Sequence, residues 1–180
     1  MNFNKHCARL TVAFSVCLGG IALAQTQGDP VVLTITATAT AGKAPAADSA
    51  GKEKAPAPSV VTFNMKFLKS LPQRTFVTKT PWYKDPVKFT GPLLRDVLAA
   101  AKVKGESMSA IALDDYQAKI PVSDATDYDV ILAHQMDGKT LTPKDKGPLF
   151  VVYPYDSKPE LQAVRFYERS IWQLKALRVE

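Results

Sequence analysis

Val31 to Thr40 (VVLTITATAT) alternates without a break, with Leu33, Ile35, Ala37 and Ala39 on one side and Thr34, Thr36, Thr38 and Thr40 on the other. A period of two is the signature of a strand with one face toward a core and the other toward water. Such a strand needs paired neighbours for its backbone and a covering layer for its apolar row. Strand-like segments recur at Arg74–Thr80, at Ser109–Leu113 and Tyr116–Ile120 around an Asp114-Asp115 hairpin turn, and at Val130–Ala133. Lys139–Leu141 follows the Asp137-Gly138 turn, Leu149–Tyr153 is wholly apolar, and Ser170–Val179 has mixed strand character. Pro81-Trp82-Tyr83 breaks the strand that ends at Thr80. Two helices separate the strands. Asn64 reads as an N-cap, with Phe63 before it, Leu68 at the staple position and Pro72 closing the element. Gly91-Pro92 opens the second, whose Leu93, Leu94, Val97, Leu98 and Ala101 recur at helical spacing. Glu160–Tyr167 fits either period. The sum is an α+β domain built on a mixed or mostly antiparallel sheet with short helices.

The N-terminus reads differently. Lys5 and Arg9 precede Leu10–Ala24, an apolar run of 15 residues that is short for a bilayer span, and Ala22-Leu23-Ala24 has the small-x-small form that a signal peptidase cleaves. Residues 1–24 are therefore expected to direct export and to be removed. A single periplasmic domain of 156 residues, 25–180, would remain, and its net charge would fall from +6 to +4. Within it, residues 42–59 hold Ala, Pro, Lys, Ser, Gly, Asp and Glu with no large apolar side chain, the composition of a flexible insertion.

Cleavage would also remove both cysteines, Cys7 and Cys17, and leave His134 as the one histidine. That excludes a thiolate nucleophile, a disulfide and a cysteine or histidine metal cluster from the mature chain. No glycine-rich phosphate loop is present. A charge of +4 over 156 residues is mild, so nucleic acid is not an expected partner. His134 sits beside a turn and reads as a strand histidine without a catalytic role.

What remains is a set of rings, carboxylates and an arginine beside turns: Thr80 and Trp82, Asp114-Asp115-Tyr116, Tyr153, and Arg169-Ser170 with Trp172-Gln173. A planar, nitrogen-rich heterocycle needs this menu, namely rings to stack on, a carboxylate for amino and ring N–H groups, and Arg or Ser for carbonyl oxygens. The same residues also suit core aromatics and turn caps. Arg95, on a helix face, is a weaker candidate.

The order of these blocks carries a resemblance. Phe89-Thr90-Gly91-Pro92-Leu93-Leu94-Arg95-Asp96-Val97-Leu98 comes first, then Leu113-Asp114-Asp115-Tyr116 with Ile120-Pro121-Val122-Ser123, and then Met136-Asp137-Gly138-Lys139. Lys146-Gly147-Pro148-Leu149, Val152-Tyr153-Pro154 and Arg169-Ser170-Ile171-Trp172-Gln173-Leu174 complete the series. Together they resemble the sulfite oxidase-type molybdopterin-binding domain, and most of all its small exported branch of pterin-binding proteins. The resemblance implies a sulfite oxidase-like fold from about Val31 to the C-terminus. It also implies that a molybdenum-binding cysteine would follow the strand Thr75–Thr80, where this chain has Thr80-Pro81-Trp82. A hydroxyl is a poor replacement for a soft thiolate. The expected protein is a non-catalytic binder of a reduced pterin, in preference to molybdopterin, with the periplasmic part of a membrane-bound cyclic-di-GMP enzyme as its partner. The alternatives are a molybdopterin-dependent oxidoreductase subunit and a structural adaptor whose pocket is unused.

Overall fold

The computed structural model of the protein describes residues 29–37 and 59–180. The expected leader 1–24, the end of the first strand at Thr38–Thr40 and residues 42–58 lie outside the described residues.

In chain order the elements are β1 (Val31–Ala37), β2 (Ser59–Asn64), α1 (Met65–Ser70), β3 (Gln73–Thr80), β4 (Tyr83–Pro92) and α2 (Leu94–Ala101). These are followed by β5 (Ser107–Ala112), β6 (Gln117–Pro121), α3 (Asp124–Asp127), β7 (Ile131–Ala133), β8 (Gln135–Met136) and β9 (Lys139–Thr140). The last are β10 (Phe150–Val152), α4 (Val164–Glu168) and β11 (Leu174–Val179), with 3-10 turns at Pro143–Asp145, Tyr155–Ser157 and Pro159–Gln162.

A mixed five-stranded sheet runs β2-β1-β11-β5-β6, in which β1 and β11 are parallel and every other pair is antiparallel. An antiparallel sheet runs β3-β4-β8-β9, and β7 pairs with β10 between them. The alternation in β1 does what its period requires: Leu33, Ile35 and Ala37 are buried, and the threonine face is half-covered. Burying Leu33 and Ile35 contributes roughly 1.5–3 kcal/mol each over leaving them in water. Ser59, read as the end of the insertion, instead opens strand β2, where it pairs with Ala37. That strand gives no clear sequence signal because Val60 is exposed and Phe63 is its one fully buried residue.

Asn64 caps α1 as expected, its side chain accepting from Phe67 N at 2.8 Å. The ring stacked on Phe63 is Phe67, with centroids 4.7 Å apart. Gly91-Pro92 does not open a helix. It closes the ten-residue strand β4, and α2 begins two residues later with Leu94, Val97, Leu98 and Ala101 buried. The reason is steric, because a Cβ on Gly91 would stand 2.0 Å from the Leu132 carbonyl oxygen. Glycine there lets β4 lie directly on the β7 backbone, where Thr90 O accepts from His134 N and Leu93 bridges Ile131. Tyr83, read as part of the break after Thr80, starts β4 and pairs with Thr80. Asp137 and Gly138 both have positive φ, 49° and 79°, which is the backbone of a tight hairpin turn between β8 and β9.

Candidate functional site

The segment 169–173 is fixed from two sides before any side chain is considered. Val151 N bonds to Ile171 O, Leu174 N to Leu149 O and Gln173 N to Lys146 O, which tie it to β10 and the turn before β10. Leu113 N bonds to Gln173 O and ties it to the β5–β6 hairpin. The hairpin tip closes through Asp115 N to Ala112 O, and Asp115 has φ +68°, a left-handed conformation that aspartate tolerates. Asp114 Oδ1 accepts from Tyr116 N at 3.1 Å, so the first aspartate shapes the turn with one oxygen.

These ties set Trp82, Asp114, Tyr116, Ser170 and Trp172 around one cavity of about 360 Å³, with Ala112, Tyr167, Glu168 and Ile171 completing its wall. Trp82 is the hinge of an aromatic cluster. It stands edge-on to Trp172 at 5.8 Å, to Tyr167 at 6.2 Å and to Tyr155 at 6.3 Å, and tilts against Phe150 at 5.6 Å. Edge-to-face packing holds the indole while leaving cavity surface uncovered. Asp114 and Glu168 are both exposed, and among the described residues no cation is part of the wall. The cavity thus offers rings for a flat ligand and carboxylates for its N–H edge.

Ser170 reaches the wall with its hydroxyl already committed: Oγ donates to Phe166 O at 2.7 Å and accepts from the Tyr155 hydroxyl. Burial pushes the Tyr155 phenol well above its ordinary range and keeps it a donor.

The remaining candidates serve other ends. Tyr153 is wholly buried and is not part of the cavity wall; its hydroxyl donates to Asp124 Oδ2 at 2.8 Å. Burial first, and the Asp124 charge second, raise its pKa far above the usual phenol value. Arg169 Nη1 donates to the same Asp124 oxygen at 2.8 Å, and Asp124 is buried. Arg169 lines an adjoining recess that shares Tyr116 and Glu168 with the cavity, but it is not part of the cavity wall. Gln173 has φ +53° and donates to Pro143 O, a backbone latch outside the cavity. Asp115 pairs with Lys175 Nζ at 2.6 Å and its side chain is 81% exposed. Thr80 lines a separate recess with Tyr155, Asp156 and Tyr167, where its buried hydroxyl has no partner among the described residues. Arg95 bonds Asp129, as does Arg74, and so ties α2 and β3 to the approach to β7.

Ala112, Tyr167, Glu168 and Ile171 are the wall residues that sequence reasoning missed, and of these Tyr167 and Glu168 carry polar groups. Tyr167 and Glu168 sit at the end of α4, Tyr167 as the last residue of the stretch Glu160–Tyr167 whose period fits either element and Glu168 just after it. The Arg169-Ser170 pair immediately after them was the available signal.

Residues 59–156 match the family model described as the oxidoreductase molybdopterin binding domain. No curated protein matches the sequence. Among solved structures, the chain is similar to the sulfane dehydrogenase SoxCD from Paracoccus pantotrophus, with 19% identity and a TM-score of 0.52. The match covers 67% of this chain and 35% of the SoxCD chain, so the likeness is one of fold over about a third of that protein.

Proposed function

The chain belongs to the oxidoreductase molybdopterin-binding domain family and has its sulfite oxidase-like α+β fold, and on that premise we propose that it is a non-catalytic pterin-binding protein. The observation that carries this reading is the cavity itself, with Trp82, Tyr116, Tyr167 and Trp172 as ring surfaces and Asp114 and Glu168 at the rim. A pterin presents a flat face and, on one edge, a 2-amino group beside N3–H. Asp114 Oδ2, which has no hydrogen bond among the described residues, accepts from that edge while Oδ1 holds the turn. Charge-assisted bonds of this kind contribute about 1.5–3 kcal/mol net.

Molybdopterin, the group in the family's name, brings a metal and a phosphate besides the ring. The donor set suits the ring and not the rest. Both cysteines lie at positions 7 and 17, and no group of three or more His, Cys, Asp or Glu among the described residues could hold a metal. Where the resemblance expects a thiolate the chain offers the Thr80 hydroxyl, and the cavity wall sets two carboxylates and no cation toward a phosphate. No redox step is therefore derived for this chain. The second reading, an oxidoreductase subunit that carries molybdopterin, is favoured by the family match.

Within the proposal, the leader-like residues 1–24 export the protein to the periplasm, residues 42–58 are an insertion, and the loaded domain modulates a membrane-bound cyclic-di-GMP enzyme. Titration of purified protein with tetrahydropterin tests the binding step. Both tryptophans of the sequence belong to the cavity wall, so saturable quenching of indole emission is expected. No quenching, together with molybdenum near one atom per chain, would transfer the reading to the oxidoreductase.

A further inference from the structure

We infer that Lys146 is a positioning residue for the cavity: its ammonium, seated on Trp172, fixes that indole as a ligand-facing wall and draws electron density from it. The inference rests on the pterin-binding reading above. Lys146 Nζ lies 3.9 Å from the centre of the Trp172 ring and 5.9 Å from that of Tyr83. Lys146 itself is not part of the cavity wall that Trp172 lines. Among the described residues no carboxylate pairs with it.

The backbone keeps the ammonium there. Lys146 has φ +70°, an uncommon conformation for a side-chain-bearing residue, at the end of the 3-10 turn Pro143–Asp145. That turn is closed by Thr142 Oγ1 to Asp145 Oδ2 at 2.7 Å and by Gly147 N to Thr142 O. It is latched to the segment 169–173, which carries Trp172, at two points, Gln173 N to Lys146 O and Gln173 Nε2 to Pro143 O. Lysine and indole therefore move as one unit. Partial burial lowers the Lys146 pKa, as expected of an ammonium that has exchanged water for rings. A cation over one face of an indole is attracted by its π density, and polarising that density makes the opposite face a better platform for an electron-rich, uncharged ring. Trp172 is more than a third exposed, so without this clamp its rotamer is held on one side only.

The test compares Lys146→Met, which keeps the stem and removes the charge, with Lys146→Arg, which keeps a charge that also stacks on rings. Tetrahydropterin affinity is measured by calorimetry, and ligand-free indole emission is recorded for each protein. The methionine variant is expected to bind about threefold to tenfold more weakly, in line with the usual strength of such contacts, and to shift the emission. The arginine variant should stay within about twofold of wild type and leave the emission unchanged, an outcome that loss of packing alone does not give. If Lys146→Met fails to fold, Lys146→Gln carries the same expectation. Equal affinity in wild type and the uncharged variant, or equal weakening in both variants, overturns the role of the charge. If wild type takes up no tetrahydropterin, the functional reading fails, and the emission arm alone decides whether Lys146 holds Trp172.

Discussion

Two regions of this molecule are assembled from the same side chains and end in opposite states. Around Asp124, two rings, a carboxylate and an arginine close on themselves: Tyr153 and Arg169 both donate to one buried carboxylate oxygen, and Phe166 packs on Tyr153 with centroids 5.3 Å apart. Around Trp82, the rings meet edge-on and enclose about 360 Å³, and Asp114 spends one oxygen on its own turn. The first region is a knot in which every strong group has a partner. The second has surface and acceptor capacity to spare. A residue inventory does not separate a structural polar cluster from a binding site; the fraction of its groups already satisfied does.

The sharpest way to break this contrast is to cut the knot. Asp124→Ala strands the Arg169 guanidinium and the Tyr153 hydroxyl, and removing one partner of a buried pair costs about 3–5 kcal/mol. The lower end applies, since 23% of the Arg169 side chain is in contact with water. Urea denaturation should show this loss, whereas Asp114→Asn should unfold within about 0.5 kcal/mol of wild type, as surface substitutions do.

Trp172→Ala works in the other direction. The ring is more than a third exposed, so its loss should cost less than the about 3–5 kcal/mol of a buried tryptophan, while pterin affinity should fall on the order of tenfold, about 1.4 kcal/mol. A large stability loss with unchanged affinity would make the cavity part of the core.

A smaller effect is expected at His134. Gln73 Nε2 donates to Leu68 O and Leu71 O, so its Oε1 accepts from His134 Nε2 at 2.8 Å, and Nδ1 is left buried without a partner among the described residues. Burial first, and Lys69 second, lower the His134 pKa. The folded state therefore resists a proton that the unfolded chain accepts. Stability has its full value above about pH 6.5 and declines as pH falls from there through the folded pKa. Urea midpoints measured from pH 8 to 5 should drop more steeply for wild type than for His134→Gln, and parallel curves would remove histidine from the account.

The sequence was most informative where a local period or cap determined the outcome. The β1 alternation, the Asn64 cap and the apolar stripe of α2 needed no distant partner to be read. Gly91-Pro92 misled because its meaning lies in Leu132, a residue of another strand. The site divided in the same way. Trp82, Asp114, Tyr116 and Trp172 stand beside turns that are visible in the sequence. Tyr153 and Arg169 lie outside the cavity wall, and the reason is not legible locally because Asp124, which bonds both, is 29 and 45 residues away. Asp115 looked equivalent to Asp114 until Lys175, 60 residues on, was seen to hold it outside the cavity.

That last pair offers the most direct measurement: calorimetric titration of tetrahydropterin into wild type, Asp114→Asn and Asp115→Asn. Both changes remove one charge from adjacent exposed positions of the same turn, so the change in net charge is matched. The account predicts that wild type binds, that Asp114→Asn weakens binding by on the order of tenfold because the amide opposes donor to donor, and that Asp115→Asn stays within about twofold. Equal affinities in all three proteins, or a loss at Asp115 larger than at Asp114, would contradict it.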